Sequence, residues 1–320
     1  MLDALKFVQG AVARKDFVPA LQHFRIQNGL IKSFNGTLGL CSPIPVTLDL
    51  APHADSLVRA IEACPEGSVA ALSVTDKGRL LVRAGDFKTF VDTVDPTTFP
   101  PYEPQGKRVT LNQPILEALR YLEPFIAEDA SRQWACGILF KGQSAFATNN
   151  VVLQEYWLGT GFPCDVNIPG NAVRELLRIG VEPISIQMSE VRITFHYPEG
   201  RWLTTQLYEA QWPDLEPLLS RESQQAPFPE GFFEALERLL PFTDDINRVY
   251  FAGDRLATSP EPDAAGTTIS LPGVPATGCF NARQLMRLRD VAQTVDFSSF
   301  PEPSMFYGAA SRGIICGLRT

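Results

Sequence analysis

The 320-residue sequence predicts an α+β protein made of three copies of one domain, each laying two helices on one face of an antiparallel sheet. Three observations predict this. The order helix, strands, helix, strands recurs three times. The second helices of the rounds, "ADSLVRAIEAC", "NAVRELLRIGVE" and "NARQLMRLRDVA", align with Val58, Val173 and Leu285 in register. That spacing, roughly 115 and 112 residues, is far too long for a solenoid repeat. Two stretches rich in proline, "PTTFPPYEPQG" and "WPDLEPLLSRESQQAPFPEG", fall between the rounds as extended connectors. The predicted domains are 1–105, 106–221 and 222–320.

The elements follow from periodicity and punctuation. "LDALKFVQGAVARK" is an amphipathic opening helix. "FRIQNGLIKSFNGTLGL" and "VTLDL" alternate like strands, and "PEG" ends the second helix. "VAALSV" and "GRLLVRAGDFKTFVDTV" are strands turning at "DKG". The second round opens with "NQPILEALRYLEPFI", where Pro114 suits a first helical turn. A strand pair follows around "KGQS", and Gly180 stops the second helix. The strand run 183–209 turns at "SE" and "PEG". The third round has the helix "GFFEALERLLPF", strands in "NRVYFAGDRLATS" and "TTISLP", and closing strands in "SMFYGAASRGIICGLRT".

Composition bounds the function. Hydrophobic content of 45% and charged content of 20% describe an ordinary globular chain. No apolar run reaches the roughly 18 residues of a membrane helix, and "MLDALKFVQG" lacks the pattern of a signal peptide, so the expected compartment is the cytoplasm. Cys41, Cys64, Cys136, Cys164, Cys279 and Cys316 form no C-x-x-C pair and read as reduced thiols. Three scattered histidines, His23, His53 and His196, give little material for a metal or acid–base site. No P-loop, nucleophile elbow, zincin or dinucleotide motif occurs, so neither catalysis nor a cofactor is expected.

The net charge is −8, yet "NAVRELLRIGVE" carries Arg174 and Arg178 four residues apart on one helix side. The basic edge recurs. Arg59 lies on the first of the second helices, and Arg283, Arg287 and Arg289 lie on the third. The three first helices add Lys6, Arg14, Arg120 and Arg238. Acidic neighbours such as Glu62, Glu117, Glu175, Glu234 and Glu237 make this a bias and not a solid patch. Solvated surface charge is the plain alternative. A shared basic surface could hold duplex DNA by its phosphates without reading bases.

In order and content the segments resemble the bacterial DNA polymerase III beta subunit family, the DNA sliding clamps. The matching pieces are "GRLLVRAGDFKTFVDTVD", "ACGILF" with "FATNNVVLQEY", "WPDLEPLL" and "RGIICGLRT". The resemblance implies head-to-tail dimers closing into a six-domain ring, with helices lining the hole around DNA. It adds Lys15 beside Arg14, and the loop "SRQWACG" with Arg132, Gln133 and Trp134, to the DNA-contacting set. For Trp134 a core aromatic remains the alternative.

The resemblance also implies a pocket between domains two and three, where polymerases, the clamp loader and repair proteins insert a short apolar motif. The matching positions are Ala135, Thr148, Val151, Val152, Leu153, Leu219, Ser220, Ile314, Ile315, Cys316, Gly317 and Leu318. For Ile314 and Ile315, plain strand core is the alternative and can coexist with pocket lining. Ring closure would involve Phe87, Thr89 and Val91 with Leu240 and Phe242, or these residues simply pack inside their own domains.

Departures from the family concern "TNNVVL", where Val152 stands at a usual arginine, the tail "CGLR", and a first strand that has no counterpart ahead of the opening helix. Such trimming suits a phage or other mobile-element clamp. Competing expectations are a clamp-like decoy that binds host replication factors without encircling DNA, a trimeric clamp with two domains per subunit, and an α+β enzyme without a recognisable motif. The three repeats and two connectors oppose the trimeric form.

Overall fold

The computed structural model describes residues 1–14, 18–261 and 265–319. Among these residues seven α-helices form: α1 (Leu2–Gln9), α2 (Ala54–Glu62), α3 (Leu116–Leu122), α4 (Gly170–Ile179), α5 (Glu216–Leu219), α6 (Phe232–Leu239) and α7 (Ala282–Met286). Both expected helices of every round are present, and α5 is one extra turn within the second connector.

Several boundaries differ from expectation for local reasons. α1 stops at Gln9, well short of the predicted end. A Cβ on Gly10 would lie 1.9 Å from Glu175 Oε1, so this helix end fits closely against a buried carboxylate. Pro114 precedes α3 instead of starting it. The amides of Ile115 and Leu116 donate to the Glu182 carboxylate at 2.9 and 3.1 Å, an end cap supplied by a distant side chain. α7 keeps only five residues of its predicted span, because the chain beyond Met286 tightens into bonds such as Leu288 N to Leu285 O.

In "VTLDL" only Leu50 pairs, bridging Ile26 ahead of the short strand Ala51–Pro52. The predicted strand "GRLLVRAGDFKTFVDTV" breaks into Leu80–Ala84, Phe87–Val91 and the short Thr93–Val94, the first two turned at Gly85 with φ +61°. The strand Lys107–Thr110 was not expected: its polar, exposed residues carry no alternating apolar face.

The chain divides into two compact units, residues 1–116 with 174–207, and residues 117–173 with 208–320. The first holds a seven-stranded antiparallel sheet in the order Arg25–Gln27, Leu30–Phe34, Leu38–Pro43, Trp202–Gln206, Arg192–His196, Ser185–Met188, Lys107–Thr110. Its seam pairs Leu38–Cys41 with Trp202–Thr205, so strands from two sequence rounds share one sheet. A separate three-stranded sheet contains Ala71–Val74, Leu80–Ala84 and Phe87–Val91.

The second unit holds an eight-stranded sheet in the order Val166–Pro169, Gly137–Lys141, Ser144–Thr148, Val152–Trp157, Ser311–Ile315, Ser304–Tyr307, Thr294–Val295, Ala226–Pro227. Here the seam pairs Val152–Tyr156 with Ser311–Ile315. A four-stranded sheet runs Thr268–Ser270, Arg255–Ala257, Arg248–Phe251, Gly278–Asn281. The unit edges therefore fall inside the second sequence round, because strand pairing crosses the rounds.

Large aromatics fill both cores. In the first unit Tyr102, from the predicted connector, stacks on Phe34 at 4.7 Å and meets Trp202 edge-on at 5.7 Å. Its hydroxyl donates to Leu40 O at 3.2 Å, and Gly39 gives it room, since a Cβ there would lie 2.3 Å from the ring. The connector is thus clamped onto the sheet. In the second unit Phe232, Phe251, Phe280 and Phe297 meet with centroids 5.0–6.1 Å apart.

His196 is buried in the seven-stranded sheet, its Nε2 3.0 Å from Gln187 Oε1. Burial, with Arg108 nearby, pushes its imidazole pKa down to about 4. The folded chain therefore holds this ring neutral, and its contribution is complete above pH 6.5 and lost as pH falls towards 4. We expect this histidine to cost up to about 2 kcal/mol of stability between pH 6.5 and 5. Urea melts across that range should show a shallower decline for His196→Gln; parallel curves would rule His196 out as the titrating group.

Candidate functional site

Within the first unit three of the expected cationic side chains meet at the α1 terminus. Lys6, Arg14 and Arg178 line a cleft of about 410 Å3 with Gln9, Gly10, Asp55 and Glu175. Lys6 is exposed and pairs with Glu62 at 3.0 Å. Arg14 is exposed and makes no ion pair among the described residues; Lys15 lies outside them. Arg59 is exposed and lies along α2, its Nε donating to Asp55 O at 3.3 Å.

α4 separates its two arginines. Val173 and Leu176 are buried and Leu177 half-buried, the apolar stripe expected of this helix. Arg174 is exposed on its polar side. Arg178 is committed: its Nε lies 2.9 Å from both oxygens of buried Glu175, and Nη1 and Nη2 donate to Lys6 O and Phe7 O at 3.2 and 2.8 Å. Those carbonyls close α1, where a cation is favoured. Glu175 neutralises Arg178 in place, so this guanidinium is first a strut between two helices.

In the second unit Arg120 and Arg238 are exposed and make no ion pair among the described residues. Arg283 donates to Asn247 Oδ1 at 2.9 Å, and Arg287 donates to Pro124 O. Arg289 bonds Glu237 at 2.7 Å and lies over the Phe233 ring at 5.5 Å. In the run 130–136 Arg132 donates to Asn150 Oδ1 at 2.9 Å, Gln133 is exposed, and Trp134 is half-buried edge-on to Trp212 at 5.1 Å. Trp134 therefore packs as an aromatic against the connector while keeping one side open.

The predicted pocket residues divide between two apolar clusters and the strand core. Leu153, Leu219 and Ile314 form one apolar cluster with Phe146 and Met305, edged by Leu139, Trp212, Leu215 and Tyr307. Leu318 joins a second cluster with Tyr250, Ala257, Cys279 and Phe300. The tail links the two, and Gly317 is required there, since its Cβ would lie 2.6 Å from the Phe300 ring. Val151 O accepts from Cys316 N at 2.8 Å, and Val151 and Cys316 are half-buried. Ser220 is exposed, its hydroxyl donating to Glu216 O.

Other predicted lining residues are sealed. Val152 and Ile315 pair across the seam but point to the opposite sheet face, with no exposed surface, and Ala135 is equally buried. Their side chains belong to the core and offer no surface to a ligand. Thr148 spends its hydroxyl on Val152 O at 2.8 Å. The turn before it is held by Asn149, whose Oδ1 accepts from the Val151 and Val152 amides and whose Nδ2 donates to Gln284 at 2.7 Å. Sequence reasoning also missed Glu155, Trp157, Tyr307 and Arg312 on the sheet face that carries Leu153 and Ile314. Their period-two spacing was visible, but their pairing was not.

At the expected ring contacts, Phe87 and Thr89 are half-buried on a strand that pairs on one side only, whereas Val91 is turned into its own unit. Leu240 is half-buried and Phe242 is 61% exposed. All six cysteines are free thiols, and burial pushes Cys41 up to about 12 and Cys164 to about 11. Among the described residues no group of histidine, cysteine and carboxylate side chains could hold a metal.

No family model and no curated protein matches the sequence. Solved structures match it over its full length. A beta sliding clamp from C. crescentus superposes with TM-score 0.82 at 18% identity, covering 100% of this chain and 97% of that chain. A DNA polymerase sliding clamp from Bacillus subtilis gives 0.83 at 16%, with the same coverage. The DNA polymerase III subunit beta from Pseudomonas aeruginosa, bound to griselimycin, gives 0.80 at 18%. The chain has the sliding-clamp fold. Three repeated domains fit the clamp fold, with half-sheets of neighbouring repeats fused at the two seams.

The Glu175–Arg178 strut makes a stability prediction. Arg178→Ala leaves a buried carboxylate without its partner and should cost about 2–3 kcal/mol in urea unfolding. Adding Glu175→Gln should recover part of that loss. Equal losses in the single and double variants would remove the unpaired carboxylate as the cause.

Proposed function

We propose that the chain is a DNA sliding clamp: a homodimeric ring that encircles duplex DNA and tethers a replicative polymerase and its loader in the cytoplasm. The observation that carries this reading is the match to the clamp fold across the entire chain.

Strand order supports ring closure. At each seam the first half-sheet of one repeat joins the second half-sheet of the next: Leu38–Pro43 with Trp202–Gln206, then Val152–Trp157 with Ser311–Ile315. Two half-sheets remain unfused, ending at Phe87–Val91 and Thr268–Ser270. By the same rule these edges would join between copies, head to tail. Exposed Phe90 near one edge, and Phe242 and Ile246 on the unit carrying the other, supply apolar surface for such a contact.

Exposed Arg14, Arg59, Arg120, Arg174 and Arg238 on an acidic chain support sequence-blind phosphate contacts in the hole. The half-buried Leu139, Trp212, Leu215 and Tyr307, packed on the cluster of Leu153, Leu219 and Ile314, suit an apolar groove for a short peptide with a few apolar anchors. No helix is long and apolar enough to cross a membrane among the described residues.

Sedimentation should give twice the 35.3 kDa subunit mass, and Phe242→Asp should shift it to the monomer. A wild-type chain that stays monomeric at micromolar concentration would sink the ring. Retention on nicked circular DNA should be lost when the circle is cut. Retention that survives cutting would indicate ordinary surface binding.

A further inference from the structure

The groove face of the eight-stranded sheet continues past the apolar cluster in rows set by strand pairing. Leu153 faces Ile314, which faces Met305; one step on, Glu155 faces Arg312, which faces Tyr307. Trp157 takes the next position, its amide donating to Ala310 O at 2.8 Å. Successive rows are two residues apart, about 6.8 Å.

The middle row is an ion pair. Arg312 Nε donates to Glu155 Oε2 at 2.6 Å, and Ser144 Oγ donates to Glu155 Oε1 at 2.6 Å. Arg312 Nη1 also donates to Leu219 O at 3.2 Å, fixing the groove wall to the sheet. The pair is lopsided: the Glu155 side chain is 13% exposed and that of Arg312 39%. It therefore shows solvent its cationic half. Beyond it lies a cleft of about 430 Å3 between Trp157, Tyr307, Ala309 and Ala310, with the ion pair in its lining. Trp157 is 57% exposed, although indoles are seldom left so open and are enriched at binding hot spots.

We infer that this cleft is a second anchor point for the peptide that occupies the apolar groove. The occupant is an extended segment with an acidic residue over Arg312 and a bulky apolar side chain against Trp157. Arg312 Nη2 has no hydrogen-bond partner among the described residues and selects a carboxylate, and the row spacing places that carboxylate between two apolar anchors. The inference rests on the peptide-groove reading above.

A random dodecapeptide library displayed on phage and selected on the intact protein tests it. Selected sequences should carry two apolar clusters with Asp or Glu between them. A synthetic peptide of the leading sequence should bind Trp157→Ala about ten-fold more weakly. The same peptide cut back to one cluster should bind both proteins equally. One-cluster sequences that bind wild type and Trp157→Ala alike would overturn the second anchor and leave the groove standing. Sequences whose binding ignores Leu215→Ser would overturn the groove reading, and the anchor with it. A change in oligomer mass on Trp157→Ala would assign the cleft to a second copy of the chain and overturn the peptide.

Discussion

The structure depends on two antiparallel seams, 38–41 with 202–205 and 152–156 with 311–315. A half-sheet of three or four strands leaves a row of unpaired amides and carbonyls at its edge. Fusing half-sheets from different repeats satisfies those groups and makes each compact unit from discontinuous chain. The second seam also brings Leu153 beside Ile314 and Glu155 beside Arg312, residues more than 150 positions apart.

Electrostatics divides the cations into two kinds. Arg178 and Arg289 are held by carboxylates, and Arg178 also closes α1 through backbone carbonyls. These contacts contribute to the fold whatever else the chain binds. Arg14, Arg120 and Arg238 stand in solvent without ion pairs among the described residues. Only such side chains can neutralise phosphate without first breaking an internal contact. A recurrent arginine on a repeated helix is thus an opportunity, and its neighbours decide its use.

The second seam shows the same division among apolar residues. Alternation on a strand sends Leu153 and Ile314 to one face, and Val152 and Ile315 to the other. Leu153 and Ile314 pack with Phe146, Leu219 and Met305 on one face, and Val152 and Ile315 fill the core on the other. Trp212 and Leu215 from the connector pack against the first cluster, and Arg312 from the last strand donates to Leu219 O.

The sequence by itself determined the α+β class, the threefold order of elements, and most helices, because amphipathic periodicity and glycine or proline punctuation are local signals. It marked both connectors, though not that Tyr102 would be buried on a sheet. It also determined that an acidic chain carries arginine on the same element of each repeat. Only the tertiary structure decided that Lys107–Thr110 is a strand, since its pairing with Ser185–Met188 joins segments some 78 residues apart, a separation local patterns do not encode. It likewise decided that α1 ends at Gly10, that Arg178 is a strut, and that Trp157 stands open beside the Glu155–Arg312 pair. Each of these depends on which distant backbone or carboxylate a side chain meets, and that is fixed by strand pairing and packing across the repeats.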